Sequence, residues 1–201
     1  ARKGWNGTGI ASAPYRLSFD GSNNSHRAAF ADRDEHRPAL LSVETWFRAP
    51  GWSGYRPLVM KSNEDTWGDG YGLYTDPNGK LIFFTNGYEN PESMTSADVR
   101  TMTGQWVHAI GTFDGNVMRL YVNGELQSEK NYAVSIAHSR APLNVGGIPG
   151  YTMSGDIAAA HIYSRALGHG DVRLNCLSRR GRFEGARCGS MVVNPSSRTA
   201  L

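Results

Sequence analysis

The sequence contains no run of apolar residues long enough to cross a membrane, so a membrane-spanning helix is not predicted. It also has little net charge, because 21 lysines and arginines against 18 aspartates and glutamates leave a formal charge of +3. Nucleic-acid-binding domains have a larger basic excess, and we do not predict one here. Cysteine is scarce, with Cys176 and Cys188 alone. No closely spaced histidine pair adds the ligands that a metal site with these two thiolates would need.

Helical periodicity is also nearly absent, since only the short segment 167–175 has a helical pattern. In its place, 24 glycines and nine prolines divide the 201 residues into short segments. All-β sandwiches of this length often form one domain. We predict a loose N-terminal arm over residues 1–14, one domain over 15–190 and a tail over 191–201. The start at Ala1, without a signal-like stretch, favours a mature product or a piece of a longer protein.

Alternation of apolar and polar residues predicts the strands. In Leu41–Arg48, Val43 and Phe47 fall on one side of a strand, and Glu44 and Trp46 fall on the other. Turn residues recur roughly every eight to twelve residues, a spacing that favours an antiparallel sandwich.

Asn-Gly and Asp-Gly turns predict an antiparallel meander in the middle of the chain. Tyr71–Thr75 and Lys80–Thr85 flank Asp-Pro-Asn-Gly, in which proline fixes one φ and Asn-Gly supplies positive φ. Residues 105–113 and 117–122 flank Asp-Gly-Asn, and the Asn-Gly at 123–124 turns the chain once more. These segments are predicted to form consecutive hairpins.

Three large side chains of this meander have structural interpretations. Trp106 and Tyr121 are predicted to anchor a core between two sheets. His108 lies in the middle of a predicted strand, and no serine, cysteine or carboxylate stands at a diagnostic spacing from it. We therefore interpret His108 as structural rather than as a catalytic base.

Five short motifs follow one another along the chain: Leu-Ser-Phe-Asp-Gly at 17–21, Trp-Val-His at 106–108, Phe-Asp-Gly at 113–115, Leu-Tyr-Val-Asn-Gly at 120–124 and Ile-Tyr-Ser-Arg-Ala-Leu at 162–167. Their joint order resembles the laminin G-like domains of the concanavalin A-like lectin/glucanase superfamily. The resemblance covers residues 15–175. It implies a two-sheet antiparallel β-sandwich of the jelly-roll type with a short C-terminal helical turn. Such a resemblance indicates architecture far more strongly than activity.

The resemblance also implies an extracellular location, because such domains are common outside cells. In that setting Cys176 and Cys188 are expected to form a disulfide that closes a small C-terminal loop. The alternative is a pair of free, buried thiols in a cytosolic protein.

Domains of this type often hold one Ca²⁺ near the opening Asp-Gly turn, which implies a role for Asp20. Where the family commonly has an Asp-Glu pair in a closing strand, this chain has Ala158 and Ala159. Asp156 lies two positions earlier, on the same face of that strand as Ala158. A shifted site would use Asp20, Asn23, Asp156 and backbone carbonyl groups, since calcium takes roughly six to eight oxygen ligands. The alternative is that Asp20 only caps its turn.

Three loops combine aromatic residues with acids and amides, a mixture suited to sugars because rings stack on C–H bonds and polar groups bind hydroxyls. They span residues 50–56, 62–71 and 86–92 and could share one rim of the sandwich. The alternative is ordinary loops with partly buried aromatic side chains. The candidate stacking residues are Trp52, Trp67, Tyr71 and Tyr88, and the candidate hydroxyl-binding residues are Asn63, Asp65, Asp69 and Asn86.

We therefore predict a non-catalytic, extracellular carbohydrate-binding module that is attached to a larger secreted protein and binds a polysaccharide or another glycan. A glycoside hydrolase on this fold would use two carboxylates roughly 5 to 9.5 Å apart. No Glu-x-Asp-x-x-Glu-like run is present to supply them, and no polysaccharide lyase motif is found. A glycan-cleaving enzyme is the second alternative.

The first alternative is a protein-interaction or adhesion module. Arginines gather late in the chain and could contact an acidic protein or a sulfated glycan, although a solvated basic tail is the simpler interpretation. They are Arg173, Arg179, Arg180, Arg182, Arg187 and Arg198.

Overall fold

The structure, a computed structural model, describes residues 5–22, 26–88 and 90–189. These residues form fifteen strands, one α-helix and four short 3-10 helices. The strands are β1 (Trp5–Asn6), β2 (Arg16–Asp20), β3 (Ala28–Phe30), β4 (Leu41–Arg48), β5 (Arg56–Lys61), β6 (Tyr71–Thr75), β7 (Lys80–Thr85), β8 (Met94–Asp98), β9 (Val107–Phe113), β10 (Val117–Val122), β11 (Glu125–Asn131), β12 (Leu143–Val145), β13 (Gly147–Ile148), β14 (Tyr151–Thr152) and β15 (Ser154–Tyr163). The helices are α1 (His169–Arg179) and the 3-10 turns Asp34–His36, Pro91–Ser93, Arg100–Met102 and Arg180–Arg182.

The strands form two antiparallel sheets that pack face to face. One sheet has seven strands in the order β1-β2-β15-β4-β9-β10-β11, and the other has six in the order β3-β12-β5-β6-β7-β8. The last strand, β15, lies between β2 and β4 in the first sheet. A small hairpin of β13 and β14 forms a separate two-stranded sheet that packs against β5. The predicted two-sheet antiparallel sandwich is confirmed.

Apolar side chains on the facing sides of the two sheets form the main core. Val43 and Phe47 of β4 point into it, as their alternation predicts, and Leu73 and Phe83 meet them from the six-stranded sheet. Gly111 of β9 leaves the space that the Phe83 ring fills, since a Cβ at Gly111 would come within 2.3 Å of that ring. Close packing of this kind determines the spacing of the sheets.

The meander has the turns that the sequence predicts. β6 and β7 pair from Tyr71 opposite Thr85, and Asp76 Oδ1 accepts hydrogen bonds from the backbone N–H groups of Asn78 and Lys80 at 2.9 and 2.8 Å. The Asn-Gly turn between β10 and β11 has positive φ at both residues. This left-handed backbone is the conformation that favours Asn and Gly.

Part of the predicted N-terminal arm is tied to the sheet. β1 pairs with β2, and Ile10 and Ala13 form an isolated bridge. This pairing supplies hydrogen-bond partners to the edge of β2, which would otherwise be open. The remaining residues of the predicted arm, 1–4, and the predicted tail over 191–201 lie outside the described residues.

Helix α1 covers part of the outer face of the seven-stranded sheet. Leu167, just before the helix, and Val172 within it are buried against Ile110 of β9 and Tyr121 of β10. The helix has eleven residues and extends beyond the predicted segment 167–175. Among the described residues, no helix is long and apolar enough to span a bilayer.

The segment after α1 covers a further part of this outer face. Phe183 stacks on Trp46 with ring centroids 4.5 Å apart, and it lies 4.9 Å from Trp106. Trp106 and Tyr121 thus belong to this outer layer, and the prediction that they anchor the core between the sheets is wrong. Alternation assigns a residue to one side of a strand, but both sides of this sheet are covered, so either side accepts a large apolar residue.

A disulfide joins Cys176 of α1 to Cys188, as the resemblance implies. It closes the loop that contains Phe183 and ties that loop to the helix. A cross-link of this kind reduces the conformational freedom of the unfolded chain, which favours the folded state.

A fully buried carboxylate, Glu44, joins three strands and the helix beneath this layer. Its Oε1 lies 3.0 Å from His108 Nε2, and its Oε2 accepts hydrogen bonds from the Tyr163 hydroxyl at 2.5 Å and from Asn175 Nδ2 at 3.0 Å. Burial alone raises the pKa of Glu44, but the hydrogen bonds from His108 and Tyr163 outweigh it and lower the pKa to about 2. His108 is itself fully buried, in keeping with its structural interpretation.

Glu44→Gln is expected to lower the free energy of unfolding at neutral pH by about 3 kcal/mol, because the folded state loses a carboxylate whose pKa falls from 4.5 to about 2. The lowered pKa means that this contribution is present above the unfolded pKa and is lost as the pH falls toward the folded pKa. Urea unfolding at pH 7, 5 and 3 measures the free energy of unfolding of the unaltered protein and of the variant. The difference between the two should become smaller as the pH falls. Glu35→Gln, which changes an exposed carboxylate, is the matched control. If the difference between Glu44→Gln and the unaltered protein were equal at pH 7 and pH 3, the stabilising role of the Glu44 carboxylate would be contradicted.

Candidate functional site

Five aromatic side chains gather on the outer face of the six-stranded sheet, and we call them the aromatic patch. Tyr74 reaches this face because it alternates with Leu73 of β6, which points into the core. The Trp67 ring lies at the centre, with centroid distances of 5.0 to 6.3 Å to the four other rings. The patch consists of Tyr55, Trp67, Tyr74, Tyr88 and Tyr151.

The aromatic patch has a buried floor and an exposed rim. Trp67 and Tyr74 are 4% and 2% exposed, whereas Tyr55 and Tyr151 are 40% and 45% exposed. The rings of Tyr55 and Tyr151 stand edge to face with centroids 6.3 Å apart. The packing of these rings holds the two exposed ones above the floor, where a ligand can reach them.

The backbone at Trp67 is in the left-handed region, with a φ of +50°. This conformation is rare for a bulky residue and costs roughly 1–3 kcal/mol. Hydrogen bonds within the loop hold it: Trp67 N–H donates to the Asn63 carbonyl at 3.2 Å, and Tyr88 N–H donates to the Trp67 carbonyl at 3.2 Å. This unfavourable backbone conformation places the indole ring against the outer face of the sheet.

Two hollows lie on the patch, and Tyr55 and Tyr151 line both of them. The first, which we call the small pocket, has a volume of about 50 Å³. The second, which we call the Arg56 hollow, has a volume of about 450 Å³ and is more open. Besides the two tyrosines, the small pocket is lined by Asp65, Trp67 and Tyr88, and the Arg56 hollow is lined by Gly21, Ser53, Gly54, Arg56, Gly150 and Thr152.

A different cavity, of about 460 Å³, opens beside β15 between the two sheets. Its lining is mostly apolar and includes Leu17, Phe30 and Leu143. Sugar hydroxyls placed there would lose hydrogen bonds to water with few partners in return, which disfavours a glycan. The aromatic patch, which combines rings with charged and polar groups, is the better candidate.

A family model described as the concanavalin A-like lectin/glucanases superfamily matches residues 20–173. This chain belongs to that superfamily. The matching model is of the laminin G type, and the match runs from the end of β2 into α1. It confirms the resemblance inferred from the order of the short motifs.

Sequence comparison finds a more distant relative of this laminin G-like domain. The chain is 26% identical to mouse pappalysin-1 over a segment that covers 56% of this chain and 8% of that protein. The chain therefore spans less than a tenth of that relative's length.

Solved structures share the fold at low sequence identity. The binding domain of botulinum neurotoxin DC in complex with SialylT has a TM-score of 0.67 and 16% identity, covering 88% of this chain and 45% of that one. The Ruminococcus gnavus IT-sialidase CBM40 bound to α2,3-sialyllactose has a TM-score of 0.58 and 11% identity, covering 78% of this chain and 95% of that one. At these identities the likeness concerns the fold.

Three of the eight predicted ligand-binding residues meet in the patch. Trp67, Tyr88 and the exposed Asp65 line the small pocket together. Tyr71 does not join them, because it is fully buried in the core and its hydroxyl donates to the His36 carbonyl at 2.9 Å. Tyr74, three positions later in β6, lies on the opposite side of the strand and faces the aromatic patch.

The other predicted residues support loops around the patch. Asn63 Oδ1 accepts a hydrogen bond from Thr66 N–H at 2.9 Å, and Asp69 Oδ1 accepts one from Asn63 N–H at 2.6 Å. Asn86, with a φ of +59°, donates from Nδ2 to the Tyr132 hydroxyl at 3.0 Å. These polar atoms are already engaged within the domain.

Trp52 lies away from the aromatic patch, at the edge of the core. It is half-buried, and its Nε1 donates to the Arg100 carbonyl at 3.3 Å. The loop over 50–56 nevertheless reaches the patch through Tyr55, which the sequence argument did not select. Tyr151 was missed as well, because its hairpin has no acidic or amide neighbour to mark it.

Asp156, one of the predicted calcium ligands, is already surrounded by cations. Its Oδ2 accepts from Arg48 Nη2 at 2.6 Å, its Oδ1 lies 3.2 Å from Arg16 Nε, and Ser18 Oγ donates to Oδ1 at 2.6 Å. Two guanidinium groups compensate the carboxylate and would repel a divalent cation. Asp156 therefore does not fit a calcium site.

Asp20 serves the turn that follows β2. Its Oδ1 accepts from Ser22 N–H at 2.8 Å and lies 3.0 Å from His26 Nδ1, and hydrogen bonds to Ser22 and His26 lower the pKa of Asp20 to about 2. Asn23 lies outside the described residues. Within residues 5–22, 26–88 and 90–189, no three His, Cys, Asp or Glu side chains are grouped as a metal site would need. Calcium binding stays a prediction that these contacts do not support.

Two of the late arginines contact other residues of the domain, whereas Arg180, Arg182 and Arg187 are exposed. Arg179 Nη1 lies 3.0 Å from His161 Nε2, and Arg173 Nε lies 4.0 Å from Glu125 Oε1. Arg198 lies outside the described residues. These contacts lend no support to an acidic protein or sulfated glycan bound through the arginines.

Calcium at about 1 mM is expected to change the melting temperature by less than about 1 °C relative to EDTA. Asp156 is already paired with Arg48 and Arg16, and a ligand stabilises a protein only when it binds the folded state. Differential scanning fluorimetry measures the difference. A rise of several degrees that disappears in Asp20→Asn would overturn this expectation and establish a site at the opening turn.

Proposed function

We propose that this laminin G-like domain is a carbohydrate-binding module and that its glycan lies on the aromatic patch. The observation that carries the proposal is the exposed pair of Tyr55 and Tyr151 above the buried Trp67, with the Asp65 carboxylate beside them. Exposed ring surfaces stack on the C–H bonds of a pyranose, and a carboxylate accepts hydrogen bonds from its hydroxyls. The patch supplies both kinds of contact within one hollow.

The rigidity of the patch supports a binding role. Each exposed ring is held by other rings, and the Trp67 loop is fixed by hydrogen bonds to Asn63 and Tyr88. Side chains that are ordered before the ligand arrives lose little conformational entropy on binding. A shallow surface can then bind a flexible glycan with useful affinity.

The solved relatives support the choice of ligand class. The CBM40 domain, 95% of which this chain covers, shares this fold and was solved with α2,3-sialyllactose. The neurotoxin binding domain, 45% of which this chain covers, was solved with SialylT. A sandwich of this kind can therefore present a glycan site, although the identities are too low to transfer individual residues.

We further propose that the module works outside the cell as part of a larger secreted protein. The disulfide between Cys176 and Cys188 supports this location, because disulfides form and persist in oxidising compartments. The short length of the pappalysin-1 match fits a domain that recurs within longer chains.

The patch favours binding over cleavage. Asp65 is the one carboxylate among the described residues that lines it, whereas glycoside hydrolases use a pair. The buried His108 and Glu44 lie on the other sheet, out of reach of a glycan on this face.

The double substitution Tyr55→Ala and Tyr151→Ala is expected to weaken glycan binding at least about tenfold, because it removes both exposed stacking surfaces. A glycan array identifies the ligand, and isothermal titration calorimetry then measures the loss. Trp67→Ala is less decisive, since removing a buried indole also costs roughly 3–5 kcal/mol of stability.

Tyr15→Ala is the matched control, because Tyr15 is also an exposed tyrosine, at 52%, but lies outside the patch. It should bind as the unaltered domain does. Undiminished binding by a folded double variant would refute the proposed site, and a blank array from folded protein would refute the proposed function.

A further inference from the structure

An arginine that donates to neutral acceptors lines the larger hollow of the aromatic patch. Arg56 Nη1 donates to the Thr152 carbonyl at 2.8 Å, and Nη2 donates to Ser53 Oγ at 2.9 Å. Both acceptors are neutral. The Nε atom is buried, and none of the described residues accepts a hydrogen bond from it. The positive charge of this half-buried side chain is therefore not compensated by its contacts.

The surrounding acids do not compensate it either. Within the described part of the chain, no carboxylate forms an ion pair with Arg56, whereas Arg48 pairs with one carboxylate and Arg119 with two. Asp20, which precedes Gly21 at the hollow, is bonded to Ser22 and His26 instead. A partly desolvated cation without a counter-charge is costly, so an anionic group brought by a ligand would be favoured there.

The geometry of Arg56 suits a carboxylate. Each terminal nitrogen has a second N–H beyond the bond that it makes within the domain. A planar guanidinium offers such groups in a fork that matches the two oxygens of a carboxylate. The exposed rings of Tyr55 and Tyr151 border the same hollow, so a sugar ring can stack while its carboxylate reaches the guanidinium.

We propose, resting on the function proposed above, that the ligand carries an acidic sugar, a sialic acid or a uronic acid, whose carboxylate binds Arg56. The orientation of the glycan follows from the charges. The acidic sugar occupies the Arg56 hollow, and the neighbouring sugar crosses the Tyr55–Tyr151 pair toward the small pocket. Asp65 lines that pocket, and its negative charge would repel the carboxylate and accept hydroxyls instead.

The test compares each acidic glycan with its neutral counterpart by isothermal titration calorimetry. One arm uses α2,3-sialyllactose against lactose, and the other uses a galacturonic-acid oligosaccharide against the same oligosaccharide with its carboxyl groups reduced to alcohols. The arm in which the domain prefers the acidic member identifies the source of the carboxylate. We expect a preference of about tenfold or more, the range of a hydrogen bond to a charged group.

Arg56→Gln should remove this preference, since it deletes the charged group that contacts the carboxylate. Arg56→Lys keeps the charge without the fork and should retain part of the preference. Arg180→Gln is the matched control: it removes one exposed arginine from the segment that covers the opposite sheet. It should retain the full preference, and melting curves verify that each variant is folded.

The outcomes separate the two proposals. If the domain binds the neutral and acidic glycans equally, and the Tyr55 and Tyr151 variant loses that binding, the carbohydrate-binding function stands and the acidic specificity is refuted. If Arg56→Gln keeps the preference for the acid, the assignment of Arg56 is refuted. If neither arm binds and the array is blank, both proposals fail.

Discussion

Every strand of a sandwich has two sides, and what covers the two outer faces determines how this domain is built. The facing sides make one continuous apolar core, which leaves two further surfaces to be covered or exposed to water. On the seven-stranded sheet, α1 and the segment tied to it by the disulfide cover the outer face. On the six-stranded sheet, a cluster of aromatic side chains takes that place, and part of it stays exposed.

The two outer faces differ in whether a buried or half-buried charged side chain is compensated by its neighbours. Glu44 is fully buried under α1, and its oxygens are matched by His108, Tyr163 and Asn175, so its charge contributes to stability. Arg56 at the aromatic patch donates to neutral partners, and its Nε has no acceptor in the part of the chain that the structure describes. A buried charge whose hydrogen-bond partners are all within the domain links the strands and the helix around it. A charge without a counter-charge, beside a hollow, can instead bind an oppositely charged group of a ligand.

Arginine chemistry also explains why the calcium prediction gains no support. Asp156 has the position that alternation predicts, but β4 and β2 bring Arg48 and Arg16 beside it. A carboxylate that completes an ion cluster is a poor calcium ligand, because its charge is already compensated. The replacement of the family's acidic pair by Ala158 and Ala159 is in keeping with this.

Local pattern determined the strands, the hairpin turns and the superfamily, because alternation and Asn-Gly turns depend on neighbouring residues. It also identified the loop that contains Trp67 and Asp65. The rest of the site required the tertiary structure: Tyr74 rather than Tyr71 faces outward, and Tyr151 and Arg56 meet only because the β13–β14 hairpin folds onto the start of β5. Arg56 and Thr152 are 96 residues apart, and a contact over that distance depends on how strands pair, which no local pattern encodes.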